Sequence, residues 1–124
     1  MKRLLLLASI LGFLAVGFGA FGAHALKNIL DDKITTYETG NRYHFYHTFA
    51  IFISYFLYTF NKEKKYIVAG YLFALGILFF SGSLYILSIT KISLFGAITP
   101  IGGLLFLIGW ATLFHALLKS NLFE

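Results

Sequence analysis

The sequence predicts an all-α fold: a four-helix transmembrane bundle with a short amphipathic helix on the interface between spans 1 and 2. Four stretches without Asp, Glu, Lys or Arg, at residues 4–23, 43–60, 66–89 and 97–118, carry most of that prediction. A helix needs about 20 apolar residues to cross ~30 Å of hydrocarbon. Composition agrees: 59% of residues are hydrophobic and 12% charged, where a soluble domain averages about 25% charged. A soluble core of this size could not enclose so much apolar surface. The spans account for most of the chain, so residues 1–124 are read as one integral membrane domain.

The first span begins after Lys2-Arg3 and resembles a secretory signal, because Ala23-His24-Ala25 reads as a cleavage site. Its uncharged run exceeds the 7–15 residues of an ordinary signal core. Ala8, Gly12, Ala15, Gly19 and Ala23 also step by four and three along one helical face. A cleaved signal has no use for such a seam, so this stretch is expected to remain as a true first helix.

Residues 24–42 form the one substantial loop. Leu26, Leu30, Ile34 and Tyr37 recur at helical spacing while Lys27, Asp31, Asp32 and Thr35 take other faces. Gly40-Asn41 reads as a stop. The expectation is an interfacial helix capping the bundle mouth, with a lid or docking surface as the alternative.

The second span is short but carries Tyr43, Tyr46 and Tyr58 as interfacial anchors. His44 and His47 lie three apart on it. In the third span Gly70, Ala74, Ile77, Ser81, Tyr85 and Ser88 share a face, small at one end and hydroxyl-bearing at the other. The fourth opens on Thr99-Pro100, where proline in a first turn loses no hydrogen bond. In lipid, small residues and interhelical hydrogen bonds hold helices together. The expected packing seam is therefore Gly12, Gly19, Gly70, Ser81, Gly102 and Gly103.

With short loops, Lys2, Arg3, Lys62, Lys64, Lys65 and Lys119 share one side, and Lys27, Lys33, Arg42 and Lys91 the other. The bias predicts cytoplasmic termini in a plasma or inner membrane. Span ends explain the basic residues, so the net charge of +5 is no nucleic-acid footprint.

This topology gathers His24, His44, His47, Ser81, Ser83, Tyr85 and Thr99 in the outer leaflet as a candidate polar cluster. Three imidazoles resemble a metal site, yet His-x-x-His is a weak pattern. Haem would find only His115 in the inner leaflet. Ser81 or Ser83 could pair with a histidine, but no span holds a carboxylate to orient it. Interhelical hydrogen bonding is the leading reading, with His47 expected to reach Ser83, Tyr85 or Thr99. With no cysteine, thiolate metal sites are excluded; no catalytic residue, metal or cofactor is assigned. The lack of span carboxylates and of an internal repeat argues against coupled transport.

Gly19-Ala-Phe-Gly-Ala-His-Ala-Leu26, Tyr43-His-Phe-Tyr-His47, Phe80-Ser-Gly-Ser-Leu-Tyr85, Thr99-Pro-Ile-Gly-Gly103 and Gly109-Trp110 occur in that order. By these motifs the chain resembles the small four-span membrane proteins of domain of unknown function 423, a family that includes transmembrane protein 256. The resemblance implies the four-span fold, with Gln more usual at the position of His44, and it implies no activity. The leading expectation is an uncharacterised structural or accessory protein that stabilises the membrane or a larger complex. Its partners would be the lipid bilayer, other membrane proteins or further copies of itself. The alternative is binding or movement of a lipid or small amphiphile through the outer cluster; an intramembrane enzyme or redox carrier ranks last.

Overall fold

The computed structural model describes residues 2–123, and every regular element among them is helical. Helix α1 is Lys2–Ala23. A single turn, α2 (Lys27–Leu30), runs into a 3-10 turn at Asp31–Lys33 and then α3, Ile34–Asn61. Helix α4 (Lys64–Gly76), a π-helical segment (Ile77–Ser81) and α5 (Gly82–Thr90) make one continuous rod. A 3-10 turn at Ser93–Ala97 leads into α6, Thr99–Leu118, with Pro100 in its first turn. Three helices are long and apolar enough to cross a membrane: Lys2–Ala23, Lys64–Thr90 and Ser93–Leu118. Helix α3 is the longest at 28 residues, but its polar side chains keep it out of that class.

The expected stop at Gly40-Asn41 does not occur; α3 passes straight through both residues. A Cβ at Gly40 would sit 3.1 Å from Leu84 Cβ and 3.4 Å from the Ser81 carbonyl oxygen. The glycine lets α3 and α5 approach closely, which offsets the roughly 1 kcal/mol that glycine costs a helix relative to alanine. The expected interfacial helix therefore shrinks to the α2 turn. Its Ile34 and Tyr37 belong instead to the start of α3, where Tyr37 joins Leu30 and Tyr85 in a small core. That apolar face packs inward, with Leu30 and Tyr37 buried.

Helix α1 packs on α3, α3 on the α4–α5 rod, and α6 on α4 and the π segment. Consecutive rods are antiparallel, so Lys2, the turn at 62–63 and Leu118 share one end of the bundle. The main core joins Leu4, Ala8, Ile51, Phe73, Phe106 and Leu113. Phe13, Leu107 and Phe114 face outward. At the other end Lys91 Nζ lies 3.5 Å from Asp32 Oδ1, an exposed pair of the kind that contributes little.

In the π segment the Gly82 N–H donates to the Ile77 carbonyl, five residues back. The widened turn brings the Phe80 backbone onto α6, where a Cβ at Gly102 would fall 2.6 Å from Phe80 Cα. Next door, a Cβ at Gly103 would make an ordinary 3.8 Å contact with the Phe80 ring. Gly70 accommodates the Leu4 side chain (2.7 Å), Gly12 faces the Thr48 methyl (3.5 Å) and Gly19 faces the Asn41 amide (3.0 Å). Three close contacts fall at glycines outside the expected seam: Gly22 under the Tyr37 ring, Gly76 under Phe106 and Gly109 under Phe73.

Candidate functional site

Helix α3 projects Tyr37, Asn41, His44 and Thr48 along one face at spacings of four, three and four. The facing strip of α1 is built from Gly12, Ala15, Gly19 and Gly22, so little side chain shields its carbonyl oxygens. Two α3 side chains exploit that opening. Tyr37 Oη donates to the Phe18 carbonyl (2.5 Å) and Asn41 Nδ2 to the Ala15 carbonyl (2.9 Å). His44 lies beside the Leu11 backbone one turn further on. The pairs 37 with 18 and 41 with 15 form an antiparallel ladder of side chains on carbonyls, and His44 continues its line along the two helices.

Tyr85 of α5 ties the ladder to the third rod. Its hydroxyl accepts from Asn41 Nδ2 (3.1 Å) and lies 2.9 Å from His44 Nδ1. The direction of the Tyr85–His44 bond follows the histidine tautomer, since the hydroxyl can donate to a bare Nδ1 or accept from an Nδ1–H. His44 Nε2 is buried, and no partner reaches hydrogen-bond geometry. The Tyr85 ring packs against Phe18 (centroids 5.0 Å) and Tyr37 (4.9 Å).

His47 occupies a separate aromatic layer. Its Nδ1–H donates to the Tyr43 carbonyl (2.8 Å), and its Nε2 accepts from Trp110 Nε1–H of α6 (3.0 Å). The ring stacks on Phe106 with centroids 3.5 Å apart and planes 9° from parallel. Both nitrogens are occupied, and the two partners fix a neutral tautomer: a carbonyl needs a donor, and an indole N–H needs an acceptor. Helices α3 and α6 thus meet through large rings rather than close backbone approach.

The candidate cluster from the sequence resolves into distinct groups. His44 joins Tyr85, while His47 crosses to Trp110 instead of Ser83, Tyr85 or Thr99. Ser83 donates to the Phe80 carbonyl (2.9 Å) and shares a 2.6 Å bond with Thr99. Ser81 is fully buried with its hydroxyl unpartnered. His24 is exposed beyond the end of α1, beside a shallow apolar groove with Gly17, Ala20, Phe21 and Ala25. Among the described residues no group of three or more His, Asp or Glu side chains is placed to hold a metal. Among the described residues neither His44 nor His47 is hydrogen-bonded to a serine.

Tyr37, Asn41 and Trp110 were not among the expected site residues. The 37-41-44-48 spacing was readable, but a presumed helix stop at Gly40-Asn41 cut it in two. Trp110 carried no spacing signal to His47, since the contact spans 63 residues of sequence.

Residues 18–103 match the family described as "Protein of unknown function (DUF423)". A UPF0382 membrane protein of Bacillus subtilis, YwdK, is 46% identical over 121 residues, covering 96% of this chain and 98% of its own length. A UPF0382 membrane protein of Staphylococcus epidermidis is 43% identical, with 96% and 98% covered. One of Haemophilus influenzae is 40% identical, with 97% of each chain covered. No solved structure gives a significant match. The chain is a membrane protein of the DUF423 family, whose function is unknown.

Proposed function

We propose that the chain is a four-span bundle, a single membrane domain with both termini on the cytoplasmic side. In this reading it serves as a structural or accessory component of the membrane or of a larger membrane complex. One observation carries the reading: a set of buried polar side chains is engaged in joining helices. Tyr37, Asn41, Tyr85 and His47 all bond to another helix or to one another. In hydrocarbon such bonds contribute about 0.6–2 kcal/mol each to helix association. Helices α1 and α6 meanwhile leave broad apolar faces outward, available to lipid or to a neighbouring protein.

Two measurements test this. Cysteines placed at Thr35 and Glu63 of this cysteine-free chain should differ in labelling by an impermeant thiol reagent on intact cells, with Thr35 reactive. Reaction at Glu63 alone reverses the orientation. Native electrophoresis of the protein at its natural abundance should show an assembly well above a 13.9 kDa chain in its detergent micelle. Migration as a lone chain defeats the accessory role.

A second reading has one observation in its favour. An apolar cavity of about 220 Å³ opens beside Tyr85, lined by Phe18, Phe21, Leu26, Tyr37, Ile86 and Ile89. An amphiphile seated there would lie against the carbonyl ladder. Ile86→Trp should fill the cavity and abolish binding of a fluorescent single-chain lipid; unchanged binding removes this reading.

A further inference from the structure

We propose that the end of the bundle bearing both termini holds a site for an anionic phospholipid. Its headgroup phosphate would sit between Lys65 and His115, with an acyl chain along Ile108 and Ala111. The inference rests on membrane residence alone, and on neither the orientation nor the accessory role argued above.

A groove of about 370 Å³ runs between the first turn of α4 and the last turns of α6, lined by Lys65, Ile108, Ala111, Thr112 and His115. Its two ionisable groups, Lys65 and His115, are both exposed. The remaining wall offers hydrocarbon: the Thr112 hydroxyl already donates to the Ile108 carbonyl at 2.7 Å. A cation, a ring N–H and an apolar trough side by side match a phosphate with a chain attached. A soluble phosphate would use only the polar end.

The surroundings favour an anion. Lys2, Arg3, Lys62, Lys64 and Lys119 lie at the same end of the bundle as Lys65. Among the described residues Glu63 is the one acid there, and its carboxylate accepts from the Lys65 backbone N–H at 3.2 Å. Glu124 lies outside the described residues. The one carboxylate–ammonium pair among the described residues, Lys91 with Asp32, is at the opposite end. Among the described residues the Lys65 ammonium has no carboxylate within salt-bridge distance, and basic pockets between membrane helices recruit anionic headgroups.

The full chain is reconstituted in nanodiscs containing equal phosphatidylglycerol and phosphatidylcholine. It is then released into mild detergent, and co-retained lipid is counted by native mass spectrometry. Wild type should retain phosphatidylglycerol preferentially. Lys65→Gln with His115→Gln should lower that retention about fivefold or more, the loss expected for one to two interfacial charge contacts. Ala111→Phe, which fills the trough and leaves the charges, should lower it as well. Lys27→Gln with Lys33→Gln, at the far end, should leave it unchanged, and glycerol phosphate should not compete. Equal retention of the two lipids, or equal loss in the far-end variant, overturns the site. Retention by Ala111→Phe, or competition by glycerol phosphate, overturns the lipid assignment.

Discussion

Adjacent glycines on α6 should respond in opposite directions to the same small change. Gly102→Ala places a methyl 2.6 Å from both Phe80 Cα and Phe80 Cβ, and closer still to the Phe80 nitrogen. The nitrogen and Cα are backbone of the π segment and Cβ is fixed to them, so none can rotate aside and α6 and the central rod must separate. Overpacking of this kind costs about 1–3 kcal/mol, partly offset by the ~1 kcal/mol that alanine gains over glycine in a helix. Gly103→Ala meets only the edge of the Phe80 ring at 3.8 Å, an ordinary contact, and keeps the helix gain. The expected outcome is a destabilisation of up to about 2 kcal/mol for Gly102→Ala and a neutral to slightly stabilising effect for Gly103→Ala. Helicity at 222 nm, followed through an SDS titration in mixed micelles, reads both. Equal midpoints for the two variants, or a Gly102→Ala protein as stable as the parent, would refute the close approach of α6 to the π segment.

Trp110→Phe removes the donor to His47 Nε2 and should cost about 0.6–2 kcal/mol by the same titration. His47→Leu should also shift the emission of Trp110, the one tryptophan; an unmoved spectrum argues against the contact. Tyr85→Phe deletes the hydroxyl shared by Asn41 and His44, and a loss of about 1–3 kcal/mol is expected for two interhelical bonds. Parent-like stability of Tyr85→Phe would remove Tyr85 as the hub of the ladder.

Helix content was legible from charge-free runs because hydrocarbon thickness sets their length. The proline at the head of α6 was legible for the same kind of local reason. The extent of α3 was not, because Gly40-Asn41 has the composition of a helix end, and only the tertiary approach of Leu84 and Ser81 makes it a helix interior. The π segment left no mark either: Ile77–Ser81 is ordinary apolar sequence, and its extra residue per turn answers to Gly102 of another helix. Hydroxyls and imidazoles could be placed at a common depth by counting residues. Which of them meet depends on helix rotation, and one residue of π insertion rotates everything after it by about 100°. Counting therefore grouped His47 with Ser83 and Thr99, while the fold pairs it with Trp110.

The ladder between α3 and α1 has a consequence for biosynthesis in the four-span arrangement proposed above. Helix α3 is the rod whose polar side chains need acceptors on another segment, and Tyr37 and Asn41 find them on Phe18 and Ala15. Those acceptors lie upstream in the chain. Domains form from the N-terminus during synthesis, so α1 is already in the bilayer when α3 leaves the ribosome. In that arrangement a segment more polar than the other three would enter as half of a hairpin, with carbonyls available to its amide and phenol. Placing the same α3 ahead of α1 would leave those groups facing bare lipid at the moment of insertion, so in the four-span arrangement the order of the helices along the chain would itself help α3 to enter the membrane.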